Sequence, residues 1–238
     1  MLHQTSHWIE IAGFAISALL LCRVLLLRLY RVYLFITLAC TLDVLFNGVS
    51  LWLGGPSPAY DRLFIYSRFI YALVYPMAAW DVFEEIKAQV DKLRRLAIGR
   101  LISGLFFAVI FGLIMAAFID TDNANGGSVV AFTLALVFWA GSTTASLAFL
   151  FTIHRVLRTQ PMAKPSNTSV WMYYFGLSFL AEVIFCFLLI GMQGASETAN
   201  DVLTIAFDSF SIALTSWCIL RLRPAMSDLP SAPENVRL

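Results

Sequence analysis

The sequence predicts an all-α polytopic membrane protein, a bundle of seven transmembrane helices with the N-terminus outside and the C-terminus in the cytoplasm. Of the 238 residues, 60% are apolar and only 13% are charged, whereas a soluble domain has about 25% charged residues. The apolar residues form seven long runs, and a helix of about 20 residues crosses the hydrocarbon core of a bilayer. The basic residues are concentrated between alternate runs, which is the pattern of the positive-inside rule.

The seven apolar runs occupy most of the chain. They are continuously apolar, so they predict helices rather than the alternating strands of a membrane barrel. A helix also satisfies every backbone N–H and C=O within its own segment, as hydrocarbon requires. We therefore expect one seven-helix transmembrane domain over residues 1–224, followed by a disordered cytoplasmic tail over residues 225–238. The predicted spans are residues 8–27, 33–53, 63–83, 101–119, 129–153, 170–192 and 202–222.

The distribution of positive charge sets the predicted orientation. Fourteen of the 16 Lys and Arg residues fall in four segments that share one side of the bundle. The opposite segments contain Arg62 as their only base, and Arg68 lies within a span. Since cytoplasmic loops carry the excess of Lys and Arg, the N-terminus is predicted outside. Positive charge follows the first run instead of preceding it, so this run is expected to remain as a helix rather than to be a cleaved signal peptide.

Four charged residues lie at membrane depth, away from the terminal turns of the predicted spans. Asp43 is in the middle of the second span, and Glu182 is at the same depth in the sixth. Arg68 is near the outer end of the third span, and Asp208 is near the outer end of the seventh. A charged group at membrane depth costs at least about 2.5 kcal/mol, so it normally faces the bundle interior and has a partner or a function. We therefore expect the four residues to share the outer half of the bundle.

Polar and aromatic neighbours extend this predicted site. Asn47 follows Asp43 by one helical turn and lies on the same face of the second span. Tyr66 and Tyr71 flank Arg68 in the third span. One interpretation is that they line a cavity with it; the other is that they face lipid or the membrane interface, as most aromatic residues of such spans do. Pro76 removes one backbone hydrogen bond from the same helix and predicts a kink.

The three carboxylates outnumber the single guanidinium, which keeps its proton. The remaining acids must be protonated, hydrated or bound to a cation, so Asp43 and Glu182 are candidate protonation sites. One interpretation is a proton- or cation-linked polar site. The other is a buried network that only fixes the helix packing. The predicted substrate- or proton-binding residues are Asp43, Asn47, Arg68, Tyr71, Glu182 and Asp208.

The spans also suggest a parallel 3+1+3 repeat, in which spans one to three match spans five to seven and span four is the linker. In this scheme Asp43-Val44 corresponds to Glu182-Val183; the alternative is chance similarity between apolar helices. The scheme resembles the architecture of the sugar-transporting SWEET proteins, but their Pro-Gln signature is missing, so the resemblance assigns no residue a role. Microbial rhodopsins have this topology too, yet the seventh span here contains no Lys for a retinal Schiff base.

The leading functional prediction is a small integral membrane transporter or permease for a small solute, linked to protons or cations through the intramembrane carboxylates. The alternative is a membrane sensor or an accessory subunit of a larger membrane complex with no transport activity of its own. We expect no enzymatic activity, cofactor or metal, because no catalytic or ligand motif is present.

The expected partners are the lipid bilayer, a small solute or proton, and another membrane protein or a second copy of the chain. The net charge of +1 argues against a nucleic-acid partner, which would need a strong positive excess. The expected location is the cytoplasmic (inner) membrane of a bacterium.

Overall fold

The structure is a computed structural model that describes residues 2–54, 57–84, 98–99, 101–106, 109–110, 126–159, 166–191 and 197–224. Within these ranges the chain is helical and contains no strand. Six helices each have a stretch long and apolar enough to cross a membrane. This confirms the prediction of an all-helical, multi-pass membrane protein. The helices are α1 (Leu2–Leu26), α2 (Leu34–Leu53), α3 (Pro58–Glu84), α4 (Gly126–Thr159), α5 (Ser166–Gly191) and α6 (Glu197–Arg221).

Helices α1 to α3 correspond to the first three predicted spans, and α4 to α6 correspond to the last three. The predicted fourth span lies mostly outside the described residues, as does the predicted tail. Residues 101–106 and 109–110 of that span are described, and they are helical. Gly104 lies so close to α4 that a Cβ built on it would be 2.6 Å from the Cβ of Ala145. This segment therefore packs tightly on α4, and the contact requires a residue without a side chain.

The six helices form a closed ring. Each helix contacts the next, α6 contacts α1, and α3 also touches α5 across the interior. The ends of α1 and α6 meet where Arg23 Nη2 donates to the carbonyl of Leu222 at 3.3 Å. We call the end of the ring at which α1 begins the N end, and the opposite end, at which α6 finishes, the C end.

Helices α3 and α4, which are neighbours in the ring, are parallel to each other. Near their beginnings the ring of Phe64 stacks on Phe132 with centroids 5.5 Å apart. Towards their ends Trp80 stacks on Phe149 at 6.2 Å. Two consecutive described helices can be parallel because the chain between them, residues 85–125, is long enough to cross the bilayer once more.

The C end of the ring is packed with buried side chains. In α1 the buried apolar residues are Leu20 and Val24, both close to its end, and in α2 they are Ile36, Ala39 and Cys40, close to its beginning. Since lipid tails are as apolar as these side chains, close packing and hydrogen bonds stabilise such a bundle. The largest fully buried side chains are Trp139, Trp171, Tyr33, Phe83 and Phe149.

A carboxylate from α3 caps the beginning of α2. The N-cap residue Tyr33 makes no capping hydrogen bond with its side chain. Asp81 Oδ2 instead accepts the backbone N–H groups of Phe35 at 2.6 Å and of Ile36 at 3.0 Å. These are two of the N–H groups that a helix cannot satisfy internally, and a negative charge at this position also complements the helix dipole. Asp81 therefore ties α3 to α2 at the C end.

Pro76 lies inside α3 and has no N–H to offer the carbonyl of Ala72, four residues earlier. The hydroxyl of Ser142, on α4, donates to that carbonyl. In hydrocarbon a freed carbonyl must find another donor, and a neighbouring serine is one of the usual solutions. The serine therefore compensates for the proline and joins α3 to α4.

Candidate functional site: an acidic cavity that opens at the N end

A cavity of about 520 Å³ lies inside the ring. Its lining includes Asp61, which is exposed in the first turns of α3, so the cavity opens at the N end. It extends past the middle of the bundle to Cys40 and Thr215, beyond which the packed C end closes it. All six residues predicted from the sequence line this one cavity: Asp43, Asn47, Arg68, Tyr71, Glu182 and Asp208.

Each of the two deep carboxylates is held by a tyrosine of α3. The hydroxyl of Tyr71 donates to Asp43 Oδ1 at 2.6 Å. The hydroxyl of Tyr75 donates to Glu182 Oε1 at 2.9 Å. The two tyrosines are one helical turn apart, about 6 Å along the axis. Glu182 is therefore bound closer to the C end than Asp43 is, whereas the sequence predicted the same depth for both.

One oxygen of Glu182 remains available. The residue is 9% exposed, and Oε2 accepts no hydrogen bond of good geometry from the described residues. The indole N–H of Trp139, which also lacks a well-aligned partner, lies near this carboxylate. A buried carboxylate oxygen without a donor is costly, so such groups in native proteins call for a reason.

Arg68 lies against aromatic rings. Its guanidinium carbon is 3.9 Å from the centroid of Trp139 and 4.5 Å from that of Phe64. Its charge acts on Asp43, Glu182 and Asp208, but its Nε has no hydrogen-bond partner in the described part of the chain. The arginine therefore supplies a positive potential to the cavity while cation–π contacts hold it to the wall.

Asn47 and Asp208 complete the predicted set on the side of the cavity nearer the N end. The amide of Asn47 donates to the hydroxyl of Ser17, on α1, at 3.4 Å. Asp208, on α6, is half-buried and lies within electrostatic reach of Glu10, on α1. These two residues bring α1 and α6 into the wall of the cavity.

The sequence prediction did not include Glu10 and Tyr75, which line the cavity, or Trp139, which contacts Arg68 from outside the lining. Glu10 lies in the first predicted span and was an available signal, because it is an acid within an apolar run. Tyr75 and Trp139 gave no such signal, since membrane helices are rich in aromatic residues. Of the two interpretations of Tyr66, the structure supports the outward-facing one: its side chain is 63% exposed and is absent from the lining. It points away because it lies only two residues before Arg68 on the same helix.

The hydroxyl residues of α4 serve its packing. Thr143 and Thr144 donate to carbonyls four residues earlier in the same helix, at 2.7 Å each. Neither these threonines nor Ser142 belongs to the described cavity lining. The polar surface of the cavity therefore comes mainly from α1, α2, α3, α5 and α6.

The described lining is strongly acidic and aromatic. It contains five acidic residues against the single arginine: Glu10, Asp43, Asp61, Glu182 and Asp208. Tyrosine and phenylalanine rings form much of the remaining wall; Tyr75 and Phe179 lie 4.8 Å apart, and Phe185 and Phe207 lie 4.4 Å apart. Chemically, such a cavity favours positive charge and apolar surface in the same ligand.

Comparison of the chain with protein-family models, with curated proteins and with solved structures finds no match.

Proposed function

We propose that the chain is a permease for a small solute, which enters the cavity from the N end and binds among the intramembrane carboxylates. One observation carries the proposal. All six polar and charged residues line a single cavity that is open at one end of the ring and closed at the other. A network that only fixed the packing would pair its charges directly and leave no such space.

The closed C end defines what transport requires. A solute bound near Glu182 is separated from the C end by the packed layer around Tyr33, Phe83 and Phe149. Passage needs these helices to separate there while the N end closes, as in alternating access. Protonation of Asp43 or Glu182, or binding of a cation, changes the charge in the cavity and so provides the link to an ion gradient.

The proposal includes the orientation and the location predicted from the sequence. The N end faces outside and the C end faces the cytoplasm of a bacterium, since among the described residues Arg23, Arg158 and Arg221 lie in the last helical turns at the C end. The proposal also keeps the predicted fourth span over residues 101–119, most of which lie outside the described part of the chain, and the predicted repeat of spans one to three as spans five to seven. The ring supports this repeat, because it places α2 and α5, which carry Asp43 and Glu182, on opposite sides.

The alternative role, a membrane sensor or an accessory subunit, has one observation in its favour. The packing at the C end makes the cavity a dead end, and a receptor needs a binding site but no path through the membrane. In that role the ligand would alter the C end, where a partner protein could detect the change. Transport measurements separate the two roles because only the permease moves a solute.

The test is uptake by the purified chain in proteoliposomes with an imposed pH gradient. Currents on a solid-supported membrane are recorded for a panel of sugars, amino acids and amines. We expect at least one solute to give a saturable current that Asp43→Asn abolishes. The control is Asp201→Asn, which makes the same chemical change at an exposed residue of α6 outside the cavity lining. Absence of current for every solute, with saturable binding intact, would support the receptor instead.

A further inference from the structure

The unused oxygen of Glu182 points to the chemistry of the ligand. Glu182 is buried and lines the cavity, and its Oε2 accepts no well-aligned hydrogen bond from the described residues, the nearby indole N–H of Trp139 included. An ion or a hydrogen-bond donor that reached it would remove the cost of burying it unpaired. Tyr75, which holds the other carboxylate oxygen, and Phe179 lie beside it, with their ring centroids 4.8 Å apart. The free oxygen is therefore next to aromatic rings.

The acids of the cavity are dispersed rather than clustered. Among the described residues no group of three or more His, Cys, Asp or Glu side chains is arranged to hold a metal ion. A metal ion such as Ca²⁺ needs several oxygen ligands around it, each at about 2.3–2.6 Å. A larger organic cation, which has apolar groups around its charged nitrogen, can interact with separated carboxylates and with the aromatic rings between them.

Aromatic rings at the cavity already hold one positive group, the guanidinium of Arg68. The guanidinium of Arg68 rests on Trp139 and Phe64 at 3.9 and 4.5 Å. Aromatic rings attract a positive group through their quadrupole, most strongly where water is excluded. Arg68 attracts Glu182 electrostatically, but Oε2 accepts no hydrogen bond from it, so this oxygen can still contact another positive group.

We infer that the ligand of this cavity is a small organic cation, a protonated or quaternary amine with apolar substituents. Its charged nitrogen lies against Glu182 and Asp43, and its apolar substituents lie against the rings of Tyr71, Tyr75 and Phe179. The inference rests on the proposed function, for which it names the class of solute, but the binding it describes does not depend on transport.

The experiment measures binding to the purified full chain in detergent by titration calorimetry. The probes are choline, tetraethylammonium and spermidine as their chlorides. Two controls are 3,3-dimethyl-1-butanol, which has the shape of choline without its charge, and sodium chloride at the same ionic strength. We expect saturable binding of at least one ammonium probe and of neither control. Failure of all three ammonium probes, or equal binding of the uncharged alcohol, overturns the inference.

Three variants locate the site. Glu182→Gln keeps the acceptor for Tyr75 but removes the charge, and it should weaken binding roughly tenfold or more. Phe179→Leu leaves every charge in place and should weaken binding several-fold through the lost ring face. Asp201→Asn, with the same change of charge at an exposed residue outside the lining, should bind as the wild type does. Wild-type affinity in both Glu182→Gln and Phe179→Leu overturns the assignment.

Failure of this inference can be told apart from failure of the proposed function. Saturable binding of choline without uptake in proteoliposomes refutes the permease and leaves the cation site standing. Uptake of an uncharged solute by a protein that binds no ammonium probe refutes the cation site and leaves the permease standing.

Discussion

Pro76 and Ser142 should be energetically coupled, although they lie on different helices. Pro76 leaves the carbonyl of Ala72 without its helical donor, and the hydroxyl of Ser142 replaces that donor. Replacing Ser142 by Ala removes the hydroxyl and leaves the carbonyl unsatisfied between packed helices. Replacing Pro76 by Ala restores an N–H that can bond the carbonyl within α3, so the serine is no longer needed.

The magnitude follows from what each variant leaves unpaired. Interhelical hydrogen bonds in membrane proteins contribute about 0.6 kcal/mol on average and about 1.7 kcal/mol at most. Ser142→Ala should lie near the upper end, about 1.5 kcal/mol, because both partners are buried and the carbonyl has lost its own donor. In the Pro76→Ala background the same substitution should cost about 0.5 kcal/mol or less, which gives a coupling energy of about 1 kcal/mol.

The assay is reversible unfolding in mixed micelles of rising SDS content, followed by tryptophan fluorescence for the wild type, both single variants and the double variant. Thr144→Ala is the matched control, since Thr144 is exposed and bonds only the carbonyl of Ala140 in its own helix. An equal cost of Ser142→Ala in the presence and absence of Pro76 would refute the reasoning.

Three further predictions concern stability and use the same unfolding assay. Asp81→Ala should cost about 2–3 kcal/mol, because it leaves one buried and one part-buried N–H group of α2 without an acceptor. Asp81→Asn, which keeps an acceptor oxygen, should cost about half as much; equal costs would contradict the capping role. Gly104→Ala should lower the free energy of unfolding by about 1–3 kcal/mol, because the added methyl group collides with Ala145. The second substitution Ala145→Gly should restore most of this stability; if it restores none, the collision with Ala145 is not the cause. The side-chain amide of Asn167 accepts from the N–H of Arg223 at 3.0 Å and donates to its carbonyl at 2.8 Å. Asn167→Ala should therefore cost about 1–2 kcal/mol, and Asn167→Asp should lose only the bond to the carbonyl. Unchanged stability in both variants would contradict this link between α5 and the end of α6.

The membrane-spanning helices could be predicted because each depends on the composition of one continuous segment. An acid inside an apolar run is expected to face the interior of the bundle, because a charge in contact with lipid tails costs free energy. This rule identified Asp43, Glu182 and Asp208 without any knowledge of their neighbours. The same reasoning applied to Glu10 would have added it to the set. The tendency of such acids to face the interior is therefore contained in the local sequence, whereas their relative depth is not, as the one-turn offset between Asp43 and Glu182 shows.

Contacts between helices could not be predicted in this way. Asp81 lies near the predicted cytoplasmic end of the third span, where an acid is ordinary, and nothing local indicates that it caps α2. The bonds of Tyr71 to Asp43 and of Tyr75 to Glu182 depend on how α2 and α5 are rotated against α3. Packing sets this rotation, and a single sequence does not state it.

The one-turn offset between the two tyrosines bears on how a cation would move through the cavity. Glu10, Asp61 and Asp208 lie towards the N end, Asp43 follows, and Glu182 is bound one turn further in, with Oε2 unpartnered. In the proposed permease, each step inward would exchange one carboxylate for the next, so a positive group would always have a negative neighbour. The fixed charge of Arg68 would oppose this attraction and so limit how tightly the acids hold the cation. Removing that charge with Arg68→Gln should therefore raise the affinity for an ammonium probe and slow its release, whereas a purely structural arginine would leave both unchanged.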